Sequence, residues 1–279
     1  MPANSSSQPQ YSSRNPPPSN RQLLILFGIL VGFIVFVIWL VIWLVDSLVW
    51  LIPPSVEQQL GSFVVPVYEQ LAKPTPAQDT LNQLLNRLET NLPSQQDQQR
   101  DYQVLYVPDS TVNALAIPGD RIIIYSGLVD QVKSENELMM VLGHELGHFA
   151  HRDHLRGLGR QLLVQVAIAS ILGDSSWIQS VATSSIVALS RSQYSQLQES
   201  QADELGLTLL QQTYGHVAGA TDFFEQLSKQ QDLKIEFLST HPAPSRRVAE
   251  LKALIQRRGY PIRERSPLPK TLSKSLLPQ

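Results

Sequence analysis

The pattern of polar and apolar residues divides the N-terminal part of the chain sharply. Residues 1–22 are mostly Pro, Ser, Asn and Gln, a composition that cannot bury enough apolar surface to fold, so we expect disorder there. Residues 23–45 then run for 23 residues without a charge, and a helix of roughly 20 apolar residues spans a bilayer core. A cleaved signal peptide is the alternative, but its apolar core has only about 7–15 residues. The pattern therefore predicts a transmembrane anchor with an interfacial segment over residues 23–52.

The predicted span carries two further signals. Arg14 and Arg21 precede it, whereas the first charged residues after it are acidic. Because basic residues stay on the cytoplasmic side, we expect a single-pass protein with a cytoplasmic N-terminus and the rest of the chain on the extracytoplasmic side. Gly28 and Gly32 form a GxxxG pair that could join two copies as a homo-oligomer, although a lipid-facing helix also tolerates such glycines.

Beyond Pro54 the apolar residues follow helix and strand periods in turn, as in a soluble domain. Helix-period runs cover residues 80–92, 195–211, 245–258 and a segment that starts at Ser134, whereas strand-like runs cover residues 101–107, 112–117 and 121–129. The apolar run 161–172 is too short for a bilayer and suits a buried or membrane-skimming helix, and a second run covers 177–189. The pattern predicts a mainly helical α+β domain over residues 55–260, followed by a loose Pro- and Ser-rich tail over residues 261–279.

Composition excludes several classes of function. The net charge of −2 gives no electrostatic reason for binding nucleic acid. The chain has no cysteine, which excludes disulfides, thiolate zinc sites and a cysteine nucleophile. Any metal ion must therefore be held by imidazole and carboxylate groups.

Four of the six histidines lie within residues 144–154. The sequence HELGH at residues 144–148 is an HExxH motif, which places two histidines about 40° apart on one helix face. Both imidazoles can then reach one ion, whereas the alternative is two histidines on an ordinary helix face. A straight helix separates His144 from His151 by about 10 Å, so His151 is not expected to bind the same ion. The motif predicts a metal site with His144 and His148 as ligands.

His154 suggests a different third ligand. In the metzincin pattern HExxHxxGxxH, the last histidine also binds the metal. This chain has His151 where that pattern requires glycine, and no methionine follows His154, although the pattern needs a methionine turn downstream. Both departures argue against a metzincin.

A carboxylate on another helix is the other candidate for the third ligand. A catalytic zinc needs three protein ligands and leaves the fourth position to water. Glu199 begins the sequence ESQAD, and Asp203 follows one helical turn later. Glu199 could therefore bind the ion while Asp203 orients a ligating imidazole. By spacing alone, Glu204 or Glu225 would also be possible.

These motifs together resemble the HtpX, BepA and Oma-type zinc peptidases, which are relatives of the CAAX prenyl protease. The resemblance rests on HELGHFAHRDH (144–154), YSQLQESQADELGL (194–207), VNALAIPGDRIIIYSGLV (112–129) and STHPAPSRRVAEL (239–251). It covers roughly residues 55–255 and leaves the predicted anchor outside. Arg152 stands at the family's usual arginine after HExxH, whereas Gln196 and Asp153 stand where many members have arginine and histidine.

The resemblance implies a gluzincin-like metallopeptidase domain with a small mixed sheet and one Zn²⁺ per chain. The implied ligands are His144, His148 and Glu199. The residues implied to support the ligands or the transition state are Asp203, His241 and Arg247. Asn113 and Ala114 fall on the family's strand beside the active site and are expected to bind substrate. His241 could donate a hydrogen bond to the oxyanion, or it could occupy the open zinc position in the resting enzyme.

The resulting expectation is a membrane-anchored zinc metalloendopeptidase. Zinc would lower the pKa of a water toward about 7 and polarise the scissile carbonyl, and Glu145 would serve as general base. An edge strand at Asn113 could pair with an extended peptide. The resemblance implies that extended or misfolded polypeptides are substrates, in quality control of membrane or exported proteins. The alternative is a membrane-tethered chaperone-like or binding module with a structural zinc, which would have no use for Glu145.

Overall fold

The computed structural model describes residues 18–93, 100–160, 193–229 and 236–273, and the chain divides into two units, residues 1–47 and 48–279. The described part of the first unit is formed by helix α1 (Asn20–Leu48). By length and composition alone, this helix could cross a membrane. It already begins at Asn20, where the backbone N–H of Gln22 bonds to the Ser19 hydroxyl at 3.3 Å, so the predicted disorder of residues 20–22 is wrong. Residues 1–17 lie outside the described part of the chain.

The second unit is a mainly helical α+β domain, as predicted. Its helices with both ends in the described residues are α2 (Pro54–Leu71), α3 (Pro76–Glu89), α4 (Ser126–Val129), α5 (Glu135–Ala150), α6 (Gln196–Tyr214), α7 (Asp222–Lys229), α8 (Glu236–Thr240) and α9 (Pro244–Arg258), with short 3₁₀ turns at Val49–Leu51 and Lys270–Leu272. Residues 153–160 are also helical. Its strands are β1 (Gln103–Val107), β2 (Ala114–Ile117) and β3 (Arg121–Tyr125). The sheet has the order β1-β3-β2, with β1 parallel and β2 antiparallel to β3. It is the small mixed sheet that the family resemblance implied.

The sheet is covered on both faces. Because side chains alternate along a strand, Val104, Ile122 and Ile124 join the main apolar core with α3 and α5. The intervening residues Leu105 and Ile123 pack on the other face, in a second cluster that includes α2. Helix α5, which carries the HExxH motif, is therefore held against one face of the sheet, and α2 lies on the opposite face.

The strand predicted over residues 121–129 is too long. Strand β3 ends at Tyr125, and α4 turns the chain away, because the Ser126 hydroxyl and the Gly127 N–H both bond to the carbonyl of Asp109, at 2.7 and 3.0 Å. A side chain at Gly127 would meet the Ser110 carbonyl at 2.1 Å, so this close turn requires glycine. The chain turns between β2 and β3 at residues 118–120.

Helix boundaries follow local capping chemistry. Ser134 caps α5 by accepting the Glu137 N–H, and Ser195 forms a complete capping box with Gln198 at the start of α6. Helix α3 begins earlier than predicted, because the Thr75 side chain caps it and proline occupies its first turn. Gly259 ends α9 in the left-handed conformation.

The tail after Tyr260 is packed as far as residue 273, so the prediction of a loose tail is wrong for this part. The carbonyl of Pro261 accepts a hydrogen bond from Val217 at 2.9 Å, and that of Ser266 accepts one from Glu135 at 3.0 Å. Pro267 forms an isolated bridge with Ser134, and Leu272 is buried. A Pro-rich composition disfavours helix and sheet but does not prevent an extended segment from docking. The apolar runs 161–172 and 177–189, and residues 94–99 and 274–279, lie outside the described residues.

Helices α5 and α6 approach each other unusually closely. A Cβ atom at Gly147 would lie 2.6 Å from the Cα of Ala202, and one at Gly143 would lie 3.0 Å from the Cα of Gly206. Small residues at these four positions let the two helix backbones touch. This contact brings the histidines of α5 beside the first turn of α6.

Candidate metal centre

Four buried side chains of the ligand type converge between α5, α6 and the segment after α8. His144, His148, Glu199 and His241 each offer one ligand atom, and these atoms all lie within 4.8 Å of one another. The Nε2 atoms of His144 and His148 are 3.1 Å apart, and Nδ1 of His241 lies 3.2 Å from Nε2 of His144. The Glu199 oxygens lie 3.6 Å from Nε2 of His148 and 3.7 Å from Nε2 of His144.

This spacing fits a tetrahedral zinc site. With zinc–nitrogen and zinc–oxygen distances near 2.0–2.1 Å, neighbouring ligand atoms of a tetrahedron are about 3.3 Å apart. Separations of 2.9 to 3.7 Å bracket that value. Imidazole nitrogen and carboxylate oxygen are also the donors that zinc accepts when no thiolate is present. The residues therefore fit Zn²⁺ in both chemistry and geometry.

Asp203 and Arg247 hold one side of this cluster. An Asp203 oxygen lies 2.9 Å from Nδ1 of His144, which directs the opposite nitrogen of the ring toward the other ligands. Arg247 donates two hydrogen bonds to the Asp203 carboxylate, at 2.8 and 2.6 Å, and its third nitrogen lies 2.7 Å from Glu199. Its guanidinium stands 4.1 Å over the Phe224 ring. Arg247 thus ties a ligand of the cluster to the carboxylate that orients another.

Asp153 and Tyr194 hold His148 in the same way. An Asp153 oxygen lies 2.9 Å from Nδ1 of His148, and its second oxygen accepts hydrogen bonds from Gln198 at 2.7 Å and Arg156 at 2.9 Å. The Tyr194 ring stacks on His148 at a centroid distance of 3.8 Å. From the sequence, Asp153 was identified only as a departure from the family pattern, and no role was predicted for Tyr194. The position of Tyr194 directly before the cap of α6 was the available signal.

The acidic groups of the cluster are held as carboxylates. Burial acts to raise the pKa of Glu199, but the charges of His241 and Arg247 outweigh burial and hold it well below its usual value. Burial likewise opposes the charge of Asp203, whereas Arg247 and His144 lower its pKa to about 2. Burial and the nearby Arg247 charge lower the pKa of His144 to about 4, whereas Asp153 and Glu199 outweigh burial and raise the pKa of His148 to about 10. A metal ion requires anionic carboxylates and neutral imidazoles as ligands, so its binding to this cluster would release a proton from His148.

Glu145 is buried next to the cluster with its carboxylate unsatisfied. Within the described residues, neither of its oxygens has a hydrogen-bond partner. His241 is a close neighbour, with its Nε2 3.7 Å from Oε1. A buried carboxylate without partners is costly and requires an explanation. A group that receives a proton from a reacting molecule at the cluster would have this arrangement.

The other sequence candidates for ligands lie elsewhere. His154 is buried against Glu57, with Nε2 2.8 Å from the carboxylate, so the metzincin alternative is wrong. Nδ1 of His151 lies 2.8 Å from the carbonyl of Gly147. Glu204 pairs with Arg258, and Glu225 pairs with Lys252 at 2.9 Å.

The predicted substrate strand occupies an edge of the described sheet. Strand β2 pairs on one side with β3, and Asn113 immediately precedes it. Asn113 and Ala114 are both buried, and the Asn113 side chain accepts the Ala114 N–H at 2.9 Å. The edge position is the one that pairing with a peptide requires.

Comparisons with known proteins agree with this geometry. The sequence profile of peptidase family M48 matches residues 77–255. The mitochondrial metalloendopeptidase OMA1 of Arabidopsis thaliana is 32% identical over 147 residues, 52% of this chain and 30% of the plant protein. Metalloprotease LoiP of Escherichia coli is 35% identical over 159 residues, 54% of this chain and 61% of that protein. The beta-barrel assembly-enhancing protease of Yersinia pestis is 25% identical over 185 residues, 62% of this chain and 37% of that protein.

The matched region includes the whole donor cluster but only part of each relative. The chain spans between 30% and 61% of the length of these three proteins. The family resemblance that the motifs predicted is confirmed.

Proposed function

We propose that this chain, which belongs to peptidase family M48, is a membrane-anchored zinc-dependent metalloendopeptidase. The observation that carries the proposal is the unsatisfied, buried carboxylate of Glu145 beside four converging donors. A structural zinc site is closed by its ligands and needs no free carboxylate at its side. The alternative of a binding or chaperone-like module with a structural zinc is therefore less well supported.

Each side chain has a defined part in peptide hydrolysis. His144, His148 and Glu199 hold Zn²⁺, which supplies Lewis-acid activation of a water and of the scissile carbonyl. Glu145 accepts the proton of the attacking water and then donates it to the leaving amine. Asp203 and Asp153 keep the two imidazoles in the orientation for binding.

Arg247, on α9, supports this arrangement. Its guanidinium is fixed by two bonds to Asp203 and a contact to Glu199. A fixed positive charge there keeps both carboxylates ionised and holds Glu199 in its position.

Substrates are proposed to be extended polypeptides. A segment lying along the free side of β2 would bind through main-chain hydrogen bonds, with Asn113 and Ala114 at the start of the strand. Such pairing makes few demands on side chains. It suits misfolded or unfolded proteins, and we propose a role in quality control of membrane or exported proteins.

Helix α1 is proposed as the membrane anchor. Its composition and length support this assignment, and the basic residues before it favour a cytoplasmic N-terminus with an extracytoplasmic catalytic domain. Gly28 and Gly32 remain the proposed surface for pairing of two anchors, since a Cβ at either position would meet nothing within 4 Å in this chain.

His241 is proposed to hold the resting enzyme inactive. Its Nδ1 lies 2.9 Å from Glu199 and 3.2 Å from Nε2 of His144, which favours a fourth ligand over a hydrogen-bond donor to the oxyanion. A fourth protein ligand occupies the position that catalysis needs open. Withdrawal of the segment after α8 would then open the site.

Glu145→Gln tests the catalytic assignment. The substitution removes the base but no ligand, so we expect casein cleavage by the purified full-length protein to be lost while zinc content stays near one per chain. The matched control is Glu204→Gln, an exposed site on α6, which should leave cleavage and zinc unchanged. Cleavage by Glu145→Gln near the wild-type rate would contradict the assignment.

His241→Ala separates the two roles of that histidine. If His241 is a resting ligand, its removal raises the basal rate of casein cleavage at saturating zinc. A fall in kcat of about 10²–10³-fold would instead support the oxyanion donor. An unchanged rate would contradict both roles.

A further inference from the structure

Helix α2 carries a stripe of exposed apolar side chains beside its packed face. Val56, Phe63, Val67 and Leu71 are 39%, 65%, 37% and 51% exposed, whereas Leu60 is partly buried and packs against the second apolar cluster. Spacings of four and seven residues place the four exposed side chains on one side of the helix. Large apolar side chains exposed in a continuous row are uncommon on a soluble surface and mark a contact.

The orientation of this stripe is fixed by the opposite contacts of the helix. Glu57 is fully buried and bonds to His154 at 2.8 Å and Arg100 at 2.5 Å. A Cβ at Gly61 would meet the Cα of Gly119 at 2.5 Å, and Tyr68 is buried. Because this inner face is locked onto the domain, α2 cannot rotate to hide the stripe.

The residues just before α2 are held on the same domain. Arg152 donates hydrogen bonds to the carbonyls of Val49 and Ile52, at 2.9 and 2.5 Å, and its guanidinium stands 5.7 Å over the Trp50 ring. Trp50 and Leu51 are 51% and 75% exposed. An amphipathic ring at this place is typical of the membrane–water interface.

We propose that the apolar stripe of α2 lies in the surface of the lipid bilayer. Chain continuity favours lipid as the occupant, because α2 follows the proposed anchor after one short turn and so lies near the membrane. The inference rests on the proposed anchoring by α1. It adds a second membrane contact, which fixes the face of the catalytic domain that meets the lipid.

This contact is apolar rather than electrostatic. Helix α2 contains no Lys or Arg, whereas helices that bind membranes from solution carry basic residues that attract anionic lipids. An anchor in the same chain removes the need for such attraction. Insertion of the stripe should therefore be independent of lipid charge.

Single cysteines in this cysteine-free chain provide the test. Phe63→Cys places a label in the stripe, Ser62→Cys places one on the adjacent polar side of α2, and Ile34→Cys places one in the anchor. Each full-length variant is labelled with an environment-sensitive fluorophore and reconstituted into phosphatidylcholine vesicles. Lipids with a nitroxide near the headgroup or near the chain end then act as quenchers.

The expected result is quenching at Phe63→Cys but not at Ser62→Cys, and more strongly by the shallow nitroxide, because a surface helix lies about 5–10 Å into the interface. Anionic lipid should leave this result unchanged. Quenching at Ile34→Cys alone would overturn the inference and leave the anchor intact, whereas no quenching at any site would overturn both. A blue-shifted but unquenched label at Phe63→Cys would assign the stripe to a protein surface, either a second copy or this chain, and would also overturn it. Quenching that needs anionic lipid would overturn the apolar mode.

Discussion

The contact between α5 and α6 predicts that Gly147→Ala damages the metal centre without removing a ligand. A methyl group at this position would meet the Cα of Ala202 at 2.6 Å and its carbonyl oxygen at 2.9 Å. Both atoms belong to the backbone, so a rotamer change cannot relieve the clash. Carbon atoms in contact are about 3.5–4.0 Å apart, and the helices must therefore separate by about 1 Å.

Two opposing energies act on stability in this variant. Overpacking costs about 1–3 kcal/mol, whereas alanine is favoured over glycine inside a helix by about 1 kcal/mol. The net loss is only about 0–2 kcal/mol, so Tm is a weak measure. The gain in helix propensity does not restore the positions of the proposed ligands. His148 follows Gly147 directly, and Glu199 lies on the displaced helix. A misplacement of about 1 Å can cost about 10²-fold in rate.

Zinc affinity and kcat are therefore the decisive measurements. Competition with a chromophoric chelator should show weaker zinc binding in Gly147→Ala, and casein cleavage at saturating zinc should fall by about 10²-fold. Gly143→Ala, whose Cβ would meet Gly206 at 3.0 Å, should show a smaller loss of both. Adding Ala202→Gly should not restore Gly147→Ala, because the backbone contacts remain. Wild-type zinc affinity and activity in Gly147→Ala would refute this account.

Two further substitutions test the interactions around the site. Asp153→Asn should weaken zinc affinity about 10–100-fold, because it releases His148. Arg156→Gln, which removes only a partner of Asp153, should weaken zinc affinity less. Equal zinc affinities of the two variants in a chelator competition would contradict the role of Asp153 in orienting His148. Glu57→Gln tests pH dependence: burial raises the pKa of Glu57, but His154 and Arg100 lower it from 4.5 to about 2, so its stabilisation is present above pH 4.5 and lost as the pH falls toward 2. This decrease in pKa corresponds to roughly 3 kcal/mol of stability. In urea unfolding at several pH values, the difference in unfolding free energy between Glu57→Gln and wild type should shrink below pH 4.5. Glu69→Gln, exposed on the same helix, should show no such difference.

The local chemistry of the site could be predicted from the sequence, because it depends on short spacings. HExxH places two imidazoles on one face of any helix, and Ser134 and Ser195 cap the two helices that carry the ligands. Spacing alone did not distinguish Glu199 from Glu204 and Glu225 as the third metal ligand. The order of residues within one helix does not determine which face meets the partner helix.

What the sequence could not predict depends on contacts between distant segments. The spacing of Gly147 and Ala202 in the sequence does not show that their backbones touch. Predicting that contact requires knowledge of how the two helices are aligned against each other. The stacking of Tyr194 on His148 likewise needs the tertiary fold. The docking of the tail was not predicted, because a Pro- and Ser-rich composition indicates only that helices and strands are disfavoured. An extended segment can still pack against the domain.

The charges of the site favour a cation at its centre. Four carboxylates are buried together, those of Glu145, Asp153, Glu199 and Asp203, and Arg247 is the buried guanidinium among them. Once the imidazoles are neutral, as a metal ion requires of its ligands, negative charge exceeds positive charge in this buried region, where uncompensated charge is costly. A divalent cation at the centre of the cluster would offset that excess. Arg247 cannot replace it, because its donors are directed to Asp203 and Glu199 and leave Glu145 without a partner. The same imbalance that favours metal binding thus leaves one carboxylate free to move a proton.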